Sequence, residues 1–295
     1  MLLHSTITSQ QLFGQLLVGL INGSFYALLS LGLAVIFGML GIVNFAHGAL
    51  YMLGAYVALF LLRELSLSYW VALVVGPLVV GTVGALLQRT LLRRLAGLDP
   101  LYGLLLTFGV ALVIQGAFEN FFGASGSPYP IPVQLSGAQN LGFMILPNYR
   151  LWVISFSLAV CLSTWLVVEK TKLGAYLRAA TENPALVQAF GINVPRMIML
   201  TYAFGAALAA LGGVLAAPIY QVRPGMGAEL VSVVFAVVVI GGMGSILGSI
   251  ITGFALGLIE GITKVFYPEA SSTVVFVIMA GVLLLKPAGL FGKTA

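Results

Sequence analysis

Few side chains in this sequence could do chemistry, and most of those stand inside apolar runs. Asn22, Asn44, His47, Gln115, Glu119 and Glu260 are polar residues set in hydrophobic sequence. In hydrocarbon such groups are costly, and they mark pairing, proton handling or a path for polar cargo. Asn44 and His47 fall in GMLGIVNFAHGALYMLGAY (Gly38–Tyr56), where a helix break would put them among apolar neighbours. His47 then has two readings: a neutral imidazole bonded to a backbone carbonyl freed by the break, or a group lining a solute path. Glu260 precedes Lys264 by four residues, the spacing of a helical ion pair. Glu119 lies toward the end of its run, where a solvated face is expected.

The chemistry of enzymes finds no foothold here. With two histidines and one cysteine there is no HExxH and no serine–histidine–acid arrangement. Cys161, inside an apolar run, reads as a small packing residue. The stretch PAGLFGKT (Pro287–Thr294) ends like a phosphate-binding loop but has Pro287 where that motif needs glycine. Asn22-Gly23-Ser24 matches a glycosylation acceptor, yet it sits in an apolar run and is discounted. Catalysis, metal and cofactor binding by this chain are therefore not expected.

The elements that must position these residues are membrane helices. The chain is 60% hydrophobic and 7% charged, against about a quarter charged in a soluble domain. Charge-free runs, each near the roughly 20 residues of a helical span, give spans near 10–36, 46–62, 69–90, 101–121, 150–168, 197–220, 229–245, 248–266 and 272–286. The expected fold is all-α: one polytopic integral membrane bundle over 1–295, with eight or nine transmembrane helices. The count depends on breaks near 37–45 and 241–247. Residues 122–148, rich in Gly, Pro, Ser, Asn and Gln, read as an extramembrane loop. The start, MLLHSTITSQQ, shows no basic region or cleavage site of a removable signal.

Charge gives an orientation. With those spans, nine of the 13 basic residues fall on one side, Arg89, Arg93, Arg94, Lys170, Lys172, Arg178, Arg196, Lys286 and Lys293. By the positive-inside rule that side is cytoplasmic. The N-terminus and the 122–148 loop are then outside, and the C-terminus inside. The net charge of +5 is spread over short loops and does not argue for nucleic acid.

Glycine supplies 36 of 295 residues, and two small-residue ladders recur every fourth position. One is Gly205, Ala209, Gly213, Ala217; the other is Gly241, Ser245, Ser249, Gly253, Gly257, Gly261. Small residues let helices approach in lipid, either within this chain or at a seam with a second subunit. Gly241, Gly242 and Gly244, in GGMGS, are expected to break their helix. Met52–Tyr56 faintly echoes Ile246–Ile250, the kind of internal repeat seen where broken helices line a pathway.

Residues 169–196 hold six of the 21 charged residues. Asn183-Pro184 is an N-cap followed by a first-turn proline, so a short helix is predicted from Pro184 to Phe190, and Gly191 fits a left-handed C-terminal cap. Lys172–Ala180 should form another, with Leu173, Tyr176, Leu177 and Ala180 on one stripe. Such a segment is either a loop resting on the bundle or a helix offered to a partner's groove.

The pattern GAYLRAA…AFGINV (Gly174–Val194) resembles the cytoplasmic loop of ABC importer permeases, and more narrowly the branched-chain amino acid permease family. Four further blocks are similar to that family in order: Gly19–Ala58, AFGAALAALGGVLAAPIY (Ala203–Tyr220), VVVIGGMGSILGSIITG (Val237–Gly253) and KPAGLFG (Lys286–Gly292), where the family more often has Arg-Pro. The resemblance implies a permease subunit working with a second, paralogous permease, two ATP-binding subunits that carry ATP and Mg, and an extracytoplasmic solute-binding protein. It implies a bacterial-type inner membrane, alternating access, and a coupling role for Gly174, Arg178, Ala179, Ala180, Ala189, Gly191 and Ile192. Candidate path residues are Asn22, Asn44, His47, Gly241, Gly242 and Gly244. Branched-chain or related amino acids are the expected solutes; urea or short-chain amides, or passive channel behaviour, are the alternatives.

Overall fold

A computed structural model describes residues 9–95 and 97–292. Lys293 and Thr294 of the phosphate-loop decoy, and residues 1–8, for which no removable signal is expected, lie outside them. The described residues form eleven α-helices: α1 (Ser9–Leu40), α2 (Ala46–Arg63), α3 (Tyr69–Thr90), α4 (Pro100–Phe122), α5 (Asn148–Lys170), α6 (Lys172–Glu182), α7 (Pro184–Ala189), α8 (Val194–Ala216), α9 (Met226–Gly241), α10 (Ile246–Phe266) and α11 (Val274–Leu285). Seven are long and apolar enough to cross a membrane; α9 and α11 are shorter apolar helices. In lipid a helix satisfies its own backbone hydrogen bonds, so long apolar runs fold this way.

The expected spans agree with the helices to within a few residues. Both expected breaks are present, at 41–45 and 242–245. The 122–148 segment is not wholly irregular. It holds a short antiparallel hairpin, β1 (Ala138–Asn140) with β2 (Ile145–Pro147). Ser127 and Val222 exchange backbone hydrogen bonds at 2.9 Å in both directions, tying this loop to the chain after α8.

Helix α1 is the axis of the bundle and is buried almost continuously from Gly19 to Ile36. The second glycine ladder packs against it. A Cβ on Gly253 would stand 2.5 Å from Ala27 Cα, and one on Gly257 would fall on the Gly23 and Gly19 backbones. Most of the first ladder packs inward too, with Gly205 against Gly32 and Ile36, and Gly213 against Tyr51. Most of both ladders therefore serves contact within the chain. Helix α4 lies at the periphery, with only Gly103 and Thr107 buried. The repeat echo does not hold its register: Ile246 opens α10, whereas Met52 lies six residues into α2.

Candidate functional site

The 169–196 segment folds as its caps dictate. The Asn183 side chain accepts from Leu186 N at 3.0 Å, and Pro184 opens α7. At the other end Gly191 sits at φ +82°, with Gly191 N donating to Gln188 O at 2.9 Å and Ile192 N to Val187 O at 3.4 Å. That pair of bonds is a Schellman cap, which needs a left-handed residue at Gly191. α6 extends to Glu182, two residues past the expected end.

The stripe predicted on α6 is not one buried face. Gly174 and Ala180 are buried, whereas Leu173 and Tyr176 are exposed. Ala180 packs with Val187 and Val194, and Ile192 lies against that cluster. The side facing the bundle is thus the one that carries small residues. Leu173, Tyr176, Leu186 and Phe190 stay exposed, Phe190 by 77%. Ala179 and Ala189 are also exposed.

Gly174 and Arg178 meet at one atom. A Cβ on Gly174 would fall on the carbonyl oxygen of Val168, in the last turn of α5. Arg178 Nη1 donates to that same oxygen at 3.2 Å and pairs with Glu169 at 3.5 Å. The two family-matched positions thus form a corner between the last membrane helix before the segment and the segment itself. Glycine is required there for close approach of backbone to backbone.

The candidate path residues are strung along α1. His47 Nε2 donates to Leu29 O at 3.0 Å. The imidazole therefore does bond a backbone carbonyl, but one inside α1 rather than one freed by the break. Its Nδ1, fully buried, has no hydrogen-bond partner among the described residues. The Asn44 amide is buried without a completed hydrogen bond as well, with the Tyr202 hydroxyl beside it. Leaving such groups unpaired costs about 1–3 kcal/mol each.

A residue not singled out from the sequence holds this break together. Thr107 Oγ1, from α4, accepts from Phe45 N at 3.2 Å and lies 3.3 Å from Val43 O. A buried threonine in the apolar run LLLTFGV was the available signal.

The second break lies near the far end of α1, where a Cβ on Gly38 would stand 3.7 Å from Gly244 Cα. Gly242 and Gly244 adopt φ +100° and +84°. Helix α9 ends at Gly241, and the tail closes over it: Leu290 N donates to Ile240 O at 2.8 Å and Phe291 N to Gly241 O at 3.1 Å. The KPAGLFG block thus satisfies carbonyls that the break would leave bare. A Cβ on Gly289 would stand 2.5 Å from Gly242 Cα, so two glycines permit this contact.

Asn22 belongs to a different cluster. It lies seven residues before Leu29, about 10 Å along α1 at the helical rise. Its amide donates to Glu260 Oε1 at 3.4 Å and accepts from Tyr220 Oη at 2.8 Å. Tyr26 Oη donates to Glu260 Oε2 at 2.7 Å, and Lys264 pairs with Glu260 at 2.9 Å. The expected Glu260–Lys264 pair exists, as part of a five-residue network joining α1, α10 and the loop after α8. Burial, with Glu260 behind it, raises the Tyr220 hydroxyl above the usual tyrosine range. The spacing of Asn22 and Tyr26, one helical turn apart, could have disclosed the shared face.

The sequence as a whole has counterparts among known proteins. A sequence model described as branched-chain amino acid transport system, permease component, matches residues 15–284. The high-affinity branched-chain amino acid transport system permease protein BraD of Pseudomonas aeruginosa is 30% identical, over 95% of each chain. LivH, the corresponding permease protein of Escherichia coli K12, is 29% identical over 96% of this chain and 95% of its own. LivM of the same strain is 27% identical over 91% of this chain and 68% of its own. No solved structure matches. Matched along nearly its whole length, this multi-pass helical chain belongs to the branched-chain amino acid transport permease family.

Proposed function

We propose that this chain is the membrane subunit of an ATP-driven importer that carries branched-chain or related amino acids into the cytoplasm by alternating access. It would pair with a second permease of LivM type, two ATP-binding subunits and an external solute-binding protein. The observation that carries this reading is the α5–α6 corner: a close-packed joint bearing a capped helix with Leu186 and Phe190 exposed. Such a helix presents an apolar grip to a partner's groove, and the corner would pass its motion to α5. The basic side of the chain, with 169–196 and the C-terminus, is assigned to the cytoplasm by the positive-inside rule.

Entry of solute is assigned to the tied loops 122–148 and 221–228, where the binding protein would dock. Asn44 and His47, with unpaired polar atoms, and the glycine break at 241–244 are assigned to the path, and the Asn22–Glu260 network to its outer half. The test is reconstitution with the partner subunits and binding protein in proteoliposomes. ATP-dependent leucine uptake is expected. Uptake without ATP would make the chain a passive channel, and uptake of urea but not leucine would move it to the amide carriers.

A further inference from the structure

A second cluster, apart from the path and the α5–α6 corner, has the chemistry of an anion site. A cavity of about 310 Å³ opens between the end of α3 and the start of α8. Three arginines line it, Arg89 and Arg93 from one side and Arg196 from the other, and no acidic residue does. None of the three forms an ion pair among the described residues. Gln88, 95% buried, also lines the cavity, and its amide makes no hydrogen bond among the described residues. Asn193 caps α8 at this mouth, accepting from Arg196 N at 3.0 Å, so the positive end of that helix faces the same space.

Three guanidinium groups, a buried amide donor and a helix N-terminus around one cavity fit a phosphate. The surroundings say which phosphate. Leu86, one turn before Arg89 on α3, and Leu200 and Phe204, one and two turns after Arg196 on α8, are exposed apolar residues. They continue the membrane-facing surface from the point where the charge ends. An amphiphile with an anionic head and acyl chains meets both chemistries at once; a free anion meets only one.

We infer that the Arg89–Arg93–Arg196 cavity binds the phosphate headgroup of an anionic phospholipid from the leaflet on the arginine side. The site would tie the lipid to the joint between α3 and α8, at the C-terminal end of the 169–196 segment. The inference stands apart from the identity of the transported solute.

Native mass spectrometry of the full chain, purified with its partner subunits, tests it with dioleoyl phosphatidylglycerol as probe and phosphatidylcholine as control. Selective retention of phosphatidylglycerol is expected. R89Q, R93Q and R196Q should each weaken it about fivefold, the effect of one basic residue near an anionic surface. Q88L should weaken it too, while R94Q, on the same turn but outside the cavity, should not. Equal loss in R94Q and R93Q would reduce the effect to diffuse charge and overturn the site. Displacement by millimolar inorganic phosphate, with no preference for the lipid, would assign the cavity to a free anion. Retention by the isolated chain that disappears when the ATP-binding subunits are added would assign the arginines to that interface. Either result refutes lipid binding. Unchanged retention in R89Q, R93Q and R196Q would likewise overturn the site, and a loss of retention supports it where the variant keeps the wild-type thermal midpoint.

Discussion

Replacing Gly174 by alanine tests the α5–α6 corner with a single methyl group. The added Cβ would fall on the Val168 carbonyl oxygen and stand 2.5 Å from its carbonyl carbon. Ordinary contact begins near 3.4 Å, so clearing the carbonyl carbon alone takes about 0.9 Å, and the oxygen, which lies nearer, requires the corner to open further. Overpacking of this kind costs about 1–3 kcal/mol. Opening also stretches the 3.2 Å bond from Arg178 to the same oxygen, worth about 0.5 kcal/mol at a half-exposed site. About 1.4 kcal/mol is a factor of ten in an equilibrium, so the native corner should be depopulated at least several-fold. The assay compares ATP hydrolysis with ATP-dependent leucine uptake by the reconstituted complex. G174A should keep assembly and hydrolysis but transport at least several-fold less solute per ATP. Wild-type uptake per ATP would refute the corner as a mechanical joint. Loss of assembly would instead show that it holds only the fold.

Four other outcomes follow from the same geometry. At Gly191 no atom lies within 4 Å of a Cβ, so valine there meets only conformational strain at φ +82°, about 1–2 kcal/mol; G191V should lower uptake per ATP, and unchanged uptake would remove the cap from the coupling path. G257V should strongly destabilise the chain because its side chain falls on the α1 backbone, whereas G109A, with nothing within 4 Å, should be neutral or slightly stabilising in thermal unfolding. T107V strands Phe45 N and should cost about 1–3 kcal/mol, with T107S restoring most of it, read as thermal midpoints. E260Q leaves Lys264 without its ion-pair partner and should cost about 1–2 kcal/mol, the pair being partly exposed; E260Q with K264M should recover part of the loss, and additive losses would deny the coupling.

The sequence by itself determined the helices, both breaks and the short capped helix of the 169–196 segment. These depend on local physics. An apolar run of span length has no other stable form in lipid, Asn183 reaches a backbone N–H three residues ahead, and Gly191 alone tolerates its turn. The resemblance to a family singled out Gly174 and Arg178 as expected coupling positions but gave no physical reason for them. That reason is the Val168 carbonyl, close in sequence but reached only through the bend between α5 and α6.

Tertiary structure decided what the small-residue ladders touch, since a glycine stripe suits any close neighbour. It also decided the partners of isolated polar groups. Thr107 finds Phe45 across 62 residues, Asn22 finds Glu260 across 238, and the tail finds the end of α9. A span's hydropathy records that a polar group is affordable somewhere, and only the packing of helices distant in sequence fixes where its partner stands.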